Sequence, residues 1–134
     1  MTLTEEQRRF LDENPYVGVV TTIRPDGSPH STVVWVDVEH GVVTFNTEEG
    51  RAKPRYIEGD PRVSLLVLDP ADTYKWVAVS GPVEVTTEGA REQIDKLAKK
   101  YLGKDTYPWH DPEKQRIKVR ITPEKVDSSG FDGD

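Results

Sequence analysis

Six short runs rich in valine, isoleucine and threonine follow one another along this chain, each closed by proline, glycine or aspartate. They occupy residues 16–23, 29–38, 42–47, 62–68, 74–86 and 116–121. Side chains branched at Cβ are stiff at χ1 and pack well on a pleated surface, so such runs read as strands. Pro25-Asp26-Gly27-Ser28 is a turn that pairs the first two runs as a hairpin, and Glu39-His40-Gly41 turns the chain again. Gly81-Pro82 interrupts the fifth run and marks a bulge or an edge position. The sixth alternates Ile117, Val119 and Ile121 with Lys118 and Arg120, which predicts one wet face.

Two segments carry a helical signal. Thr4-Glu5-Glu6-Gln7 has the spacing of a capping box and predicts a helix over residues 5–13, ended by Asn14-Pro15. Ala90, Ile94, Leu97, Ala98, Tyr101 and Leu102 form one apolar stripe over residues 88–102, and Gly103 stops it. Six strands and few helices predict a mainly β fold, an antiparallel barrel or sandwich with helices outside it. The 134 residues suit one domain, expected over 1–127, with a flexible acidic, glycine-rich tail over 128–134. Val33 and Trp35 interleave with Val34, Val36 and Val38, and Leu65 and Val67 with Leu66 and Leu68. A small barrel buries one face only, so the second apolar face needs a cover: a helix, or a second copy of the chain.

Several classes of function are disfavoured or excluded. Without cysteine there is no disulfide, thiolate metal site or cysteine nucleophile. A net charge of −6 argues against general nucleic-acid binding. No apolar run approaches the roughly 20 residues that span a bilayer, and the polar start lacks a signal-peptide core, so a cytoplasmic protein is expected. No Gly-x-Ser-x-Gly, P-loop, His-Glu-x-x-His or Gly-x-Gly-x-x-Gly is present. His30, His40 and His110 lie far apart, with no working spacing for a metal.

Against this acidic background stands Gly50-Arg51-Ala52-Lys53-Pro54-Arg55, placed directly after the third strand. Proline suits the first turn of a helix, so a short helix is expected from Pro54 with Lys53 at its cap. Free backbone N–H groups beside cationic side chains suit a phosphate. The alternative is a solvated basic turn, neutralised by Glu48 and Glu49.

The order of these pieces resembles a known family. An N-terminal helix is followed by "GVVTTIRPDGSPHSTVVWV", "VVTFNTEEGRAKPRYIEGDPRVSLLV" and "WVAVSGPVEV". The x-Asp-Gly-x-Pro hairpin, the Phe-x-Thr strand end, the Arg-Ala-Lys turn and the Asp-Pro-Arg-Val strand start are similar to those of the pyridoxamine-phosphate-oxidase-like split β-barrel proteins. The Arg-Ala-Lys turn looks like the branch that uses the deazaflavin coenzyme F420.

That resemblance implies a six-stranded antiparallel split barrel of the flavin-reductase type. It also implies a homodimer with cofactor sites at its interface. The cofactor phosphate would sit on Asn46, Thr47, Arg51, Ala52 and Lys53, and on Arg55. The ring would lie along Thr32, Val33, Val34 and Trp35. Tyr74, Lys75 and Trp76 would reach in from the partner subunit. The implied activity is hydride transfer from reduced F420 to an electron-poor acceptor such as a quinone, a tetrapyrrole or a conjugated enone. Two alternatives are an FMN-binding oxidase or flavin reductase of the same fold, and a non-catalytic carrier of F420, flavin or haem. The cofactor carries the difficult step in such enzymes, so no catalytic side chain is assigned. Tyr74, His110 and Ser31 are candidate proton donors. The loop Asp105–Pro112, with Tyr107 and Trp109, is a candidate lid or substrate wall; the alternative is a loop pinned to the barrel by its aromatics.

Overall fold

The computed structural model describes all 134 residues. Helix α1 covers Glu5–Glu13 and carries the expected capping box: Gln7 N–H donates to Thr4 Oγ1, and Gln7 Oε1 accepts from Thr4 N–H. Strands β1 (Gly18–Ile23) and β2 (Pro29–Val34) form the hairpin, its turn closed by Asp26 Oδ1 accepting from Ser28 N–H at 3.0 Å. Then come β3 (Val36–Glu39) and β4 (Val42–Glu48), followed by α2 (Ala52–Gly59) and β5 (Arg62–Asp69). The long β6 (Asp72–Thr86) leads into α3 (Ala90–Leu102), β7 (Arg116–Ile121) and β8 (Lys125–Ser129).

All pairings are antiparallel, in the order β2-β1-β5-β6-β7-β4-β3, with β8 also on β6. Strand β6 pairs with β5 as far as Pro82 and with β7 from Val83, so Gly81-Pro82 is where one long strand passes between two half-sheets. A Cβ on Gly81 would lie 1.9 Å from Thr122 O, so only glycine fits this crossing. At the opposite side the edge strands β2 and β3 are consecutive in the chain and part only at Trp35. The backbone thus closes the seam of the split barrel. A core of valine, leucine, isoleucine and phenylalanine fills the interior, with Phe45, Val36 and Val119 fully buried.

The strand count is eight rather than six. The predicted run 29–38 breaks at Trp35, and β8 pairs with β6 from Trp76↔Ser129 to Ser80↔Lys125. Where a flexible tail is expected from 128, the chain continues as strand to Ser129, and Phe131 meets the Phe10 ring edge-on at 5.2 Å. Helix α2 starts at Ala52, two residues before the expected Pro54, with Arg51 as its cap. Proline is accepted throughout a first turn, because N–H groups there lack helical partners anyway. The face of β7 expected to be wet is covered by α3. Arg116 is 6% exposed there and paired with Glu48, while Lys118 pairs with Glu39. No helix is long and apolar enough to cross a membrane.

Candidate functional site

The Trp35 seam is held from behind by α3. Tyr101 Oη accepts from Val36 N–H at 2.9 Å and donates to Tyr16 O at 2.6 Å, and burial pushes its pKa up to about 12, keeping it a donor. Lys100 Nζ donates to Leu11 O at 2.7 Å and Val36 O at 2.8 Å. The Tyr101 ring lies flat against Trp35, 5.3 Å between centroids and 5° between planes. A broken edge strand would leave its backbone polar groups orphaned, and these side chains replace the ladder it lost.

Beside the seam lies a cavity of about 170 Å³, lined by Val33, Val34, Trp35, Asn46, Thr47, Arg51 and Lys53 together with Ile94, Leu97, Tyr107, Trp109 and Arg116. The first seven come from the predicted set. Of the others, Ala52 and Arg55 follow on α2, but Arg55 lines different concavities. Thr32 precedes the seam on β2, and its buried Oγ1 has no partner. Tyr74, Lys75 and Trp76 do not line this cavity within one chain. Tyr74 is 82% exposed, and Lys75 Nζ sits 4.9 Å over the Phe131 ring beside a separate concavity of about 400 Å³.

The cationic end combines features that suit an anion. Thr47 is 1% exposed, lines the cavity, and its Oγ1 has no hydrogen-bond partner. A buried unsatisfied hydroxyl costs about 1–3 kcal/mol, so a donor without an acceptor points to a missing one. Lys53 is half-buried without a carboxylate partner. Its pKa is lowered, first by burial and then by the Arg51 and Arg116 charges. Arg51 and Arg116 share the single carboxylate of Glu48, at 3.1 and 2.9 Å. Three cations against one carboxylate leave the corner short of negative charge, and the N-terminus of α2, which no side chain caps, begins between the lining residues Arg51 and Lys53. The donor set therefore fits a phosphate.

Arg116, Tyr107 and Trp109 belong to the site geometry but are absent from the predicted cofactor set. Arg116 is held by Asn46 Oδ1, which accepts from its Nε at 2.7 Å, and the guanidinium lies 5.3 Å over the Tyr107 ring. Asn46 in turn donates to Ala90 O and Gln93 Oε1. In sequence Arg116 stands in phase with Lys118 and Arg120 and reads as solvent-facing; only the packing of α3 reveals it as interior. Tyr107 and Trp109 belong to the loop read from sequence as a lid, a substrate wall or a segment pinned by its aromatics, and Tyr107 does pin it, against Trp35 and Arg116. Of the candidate proton donors, Ser31 shares a hydrogen bond with Thr21, and neither His110 nor Tyr74 lines the cavity.

Residues 3–129 match the family described as pyridoxamine 5'-phosphate oxidase. Among solved structures, an F420 reductase is 28% identical, with 92% of this chain and 98% of that one covered and a TM-score of 0.77. A conserved hypothetical protein from Mycobacterium tuberculosis is 24% identical, covering 96% and 86%, with a TM-score of 0.73. General Stress Protein 26 from Bacillus anthracis is 21% identical over 92% of each chain, TM-score 0.70. The last two share the fold. With its seam, its crossing strand and its cationic corner all in the matched residues, the chain belongs to the pyridoxamine 5'-phosphate oxidase family of flavin-binding oxidoreductases.

Proposed function

We propose that this protein is an F420H2-dependent reductase that passes a hydride to an electron-poor organic acceptor. The observation that carries the reading is the orphaned Thr47 hydroxyl and the unpaired Lys53, which line one cavity together with the apolar Val33, Val34, Trp35, Ile94 and Leu97. The 28% identity to an F420 reductase over nearly the whole of both chains supports the choice of deazaflavin. Thr47, Arg51, Lys53 and Arg116 would hold the phosphate, and Thr32, Val33, Val34 and Trp35 would flank the ring. The bound coenzyme supplies the hydride. The chain's own residues bind and orient it, and the apolar walls keep water from the transfer.

A second reading, FMN, is favoured by the cation surplus. A phosphomonoester carries about 1.5–2 negative charges at neutral pH and suits three cations set against one carboxylate.

The working unit in this reading is a homodimer with small-molecule acceptors. One chain offers about 170 Å³, below the ~300–1,000 Å³ of most small-molecule sites. Across the outer face Val33, Val19, Leu66 and Ala78 form one row, and the first three are 63, 39 and 37% exposed. Val33 both ends this row and lines the cavity, so a second copy on that face would complete the site.

Equilibrium titration of the cofactor-stripped protein with F420 and with FMN decides the coenzyme. Lys53→Ala is expected to weaken the preferred one by about ten- to a hundredfold, the size of a lost charge-assisted contact. Unchanged affinity for both would remove the site assignment. Steady-state transfer from reduced F420 to menadione or biliverdin separates a reductase from a carrier.

A further inference from the structure

The aromatic lining of the cavity is built differently from its cationic lining. Four aromatic rings run out from α3 in sequence: Tyr101 flat on Trp35, then Tyr107 edge-on to Trp35 at 6.0 Å, then Trp109 edge-on to Tyr107 at 5.5 Å. Tyr107 is fixed from three sides. Trp35 meets one side, the Arg116 guanidinium lies over the ring, and its own N–H donates to Asp95 Oδ1 at 2.8 Å. Trp109 stands two residues beyond this anchor, across Pro108, and touches only the Tyr107 edge among the aromatics. It lines the cavity and is nevertheless 63% exposed.

The loop is thus pinned through Tyr107, and the indole adds little to that hold. A tryptophan that packs fully covers about 150–250 Å², so an indole left open at a cavity mouth is a face without its counterpart. Arg51 and Lys53 bring charge to the cavity and Arg116 lies over Tyr107, while Val33, Trp35 and Trp109 present apolar surface. An indole face is electron-rich and prefers offset stacking on an electron-poor ring.

Building on the reductase reading above, we propose that Trp109 is a specificity-determining residue: it forms the wall on which the acceptor stacks, so the enzyme selects flat, conjugated acceptors over small non-planar ones. The anchored Tyr107 positions it, and the Asp105–Pro112 loop acts as substrate wall rather than as a lid.

The test uses full-length protein carrying Trp109→Ala or Trp109→Phe, with menadione as flat acceptor and cyclohexenone as small aliphatic one. Four quantities are read: coenzyme affinity, KM and kcat for each acceptor, direct menadione binding by calorimetry without turnover, and molecular mass. Trp109→Ala should raise the menadione KM and dissociation constant about tenfold, the scale of one lost stacking contact with its area. Coenzyme affinity should stay within about twofold, cyclohexenone should be unaffected, and Trp109→Phe should restore most of the loss. A parallel loss of coenzyme affinity would make the indole a coenzyme wall. Equal shifts for both acceptors, or a fall in mass, would give it a general or a subunit-contact role. Each of these overturns the proposal. If the unaltered protein bound neither F420 nor FMN, the reductase reading would fail. The calorimetric arm would still decide on Trp109, since menadione binding unchanged by Trp109→Ala sinks the wall and weakened binding upholds it.

Discussion

At the scale of single residues, the cationic corner keeps polar groups in a state that folding alone does not favour. The Thr47 hydroxyl is buried without an acceptor. Thr47→Val, close in volume, should leave the apo protein as stable or up to about 1 kcal/mol more stable, because an unsatisfied group is removed. The same change should weaken coenzyme binding several-fold; paired urea melts and titrations check both halves. Lys100 shows the same conflict as a pH effect. Burial, aided by Lys96 and opposed by Asp12 and Asp37, lowers its pKa from 10.5 to about 8. A lysine whose folded pKa is depressed destabilises the fold wherever it is charged, in full below the folded value. That cost disappears as pH rises from about 8 towards 10.5. Stability should therefore climb across this window, and Lys100→Met should flatten the climb. Lys53, also lowered by burial, contributes in the same direction. Denaturant midpoints measured between pH 7 and 10.5 would reveal a flat or falling profile if this is wrong.

At the scale of elements, the decisive feature is the clamp of α3 on the seam between β2 and β3. Tyr101 serves both a donor and an acceptor of the backbone there and stacks on Trp35. Tyr101→Phe keeps the ring and removes both bonds, leaving Val36 N–H and Tyr16 O unpaired. We expect a loss of about 1–3 kcal/mol in urea unfolding, with the mainly β far-UV spectrum retained. A loss below about 0.5 kcal/mol would mean that the seam holds without its clamp. The same helix hides the charged face of β7. Gln93 Nε2 donates to Thr44 Oγ1 at 2.8 Å, and Asn46 links Gln93 to Arg116. Sequence periodicity named Leu102 as part of the buried stripe, yet Leu102 is 39% exposed and Gln93 is buried in the stripe's place. A polar side chain that meets a polar network is buried as readily as an apolar one, and hydropathy patterning has no means of marking it.

At the scale of the molecule, the barrel leaves one apolar face uncovered. Leu66 and Leu68 point outward at 37 and 36% exposure, while Leu65 and Val67 are 1% exposed. If a second copy covers this face, Leu66→Lys should turn a dimer into a monomer by light scattering, because a charge at the centre of the contact loses its water without gaining a partner. Coenzyme affinity should fall with it if, as the proposed dimer requires, Tyr74, Lys75 and Trp76 complete the site from the partner subunit. A dimer that persists in Leu66→Lys would put the contact elsewhere.

Local chemistry written in neighbouring residues was legible from the sequence alone. The capping box over Thr4 to Gln7, the Asp26-Gly27 hairpin, the strand over Arg116–Ile121 and the basic turn after β4 each depend on spacings of a few positions. The family likeness added the whole split barrel and the seven cavity residues that follow from it. What the tertiary structure alone decided were contacts between distant segments. Trp35 breaks a strand because α3 takes over its hydrogen bonds, β8 forms because β6 offers it an edge, and Arg116 turns inward because Asn46 and Glu48 receive it. A charged residue in a strand looks the same in sequence whether water or a carboxylate neutralises it. Which one does so is set by what the folded chain brings alongside.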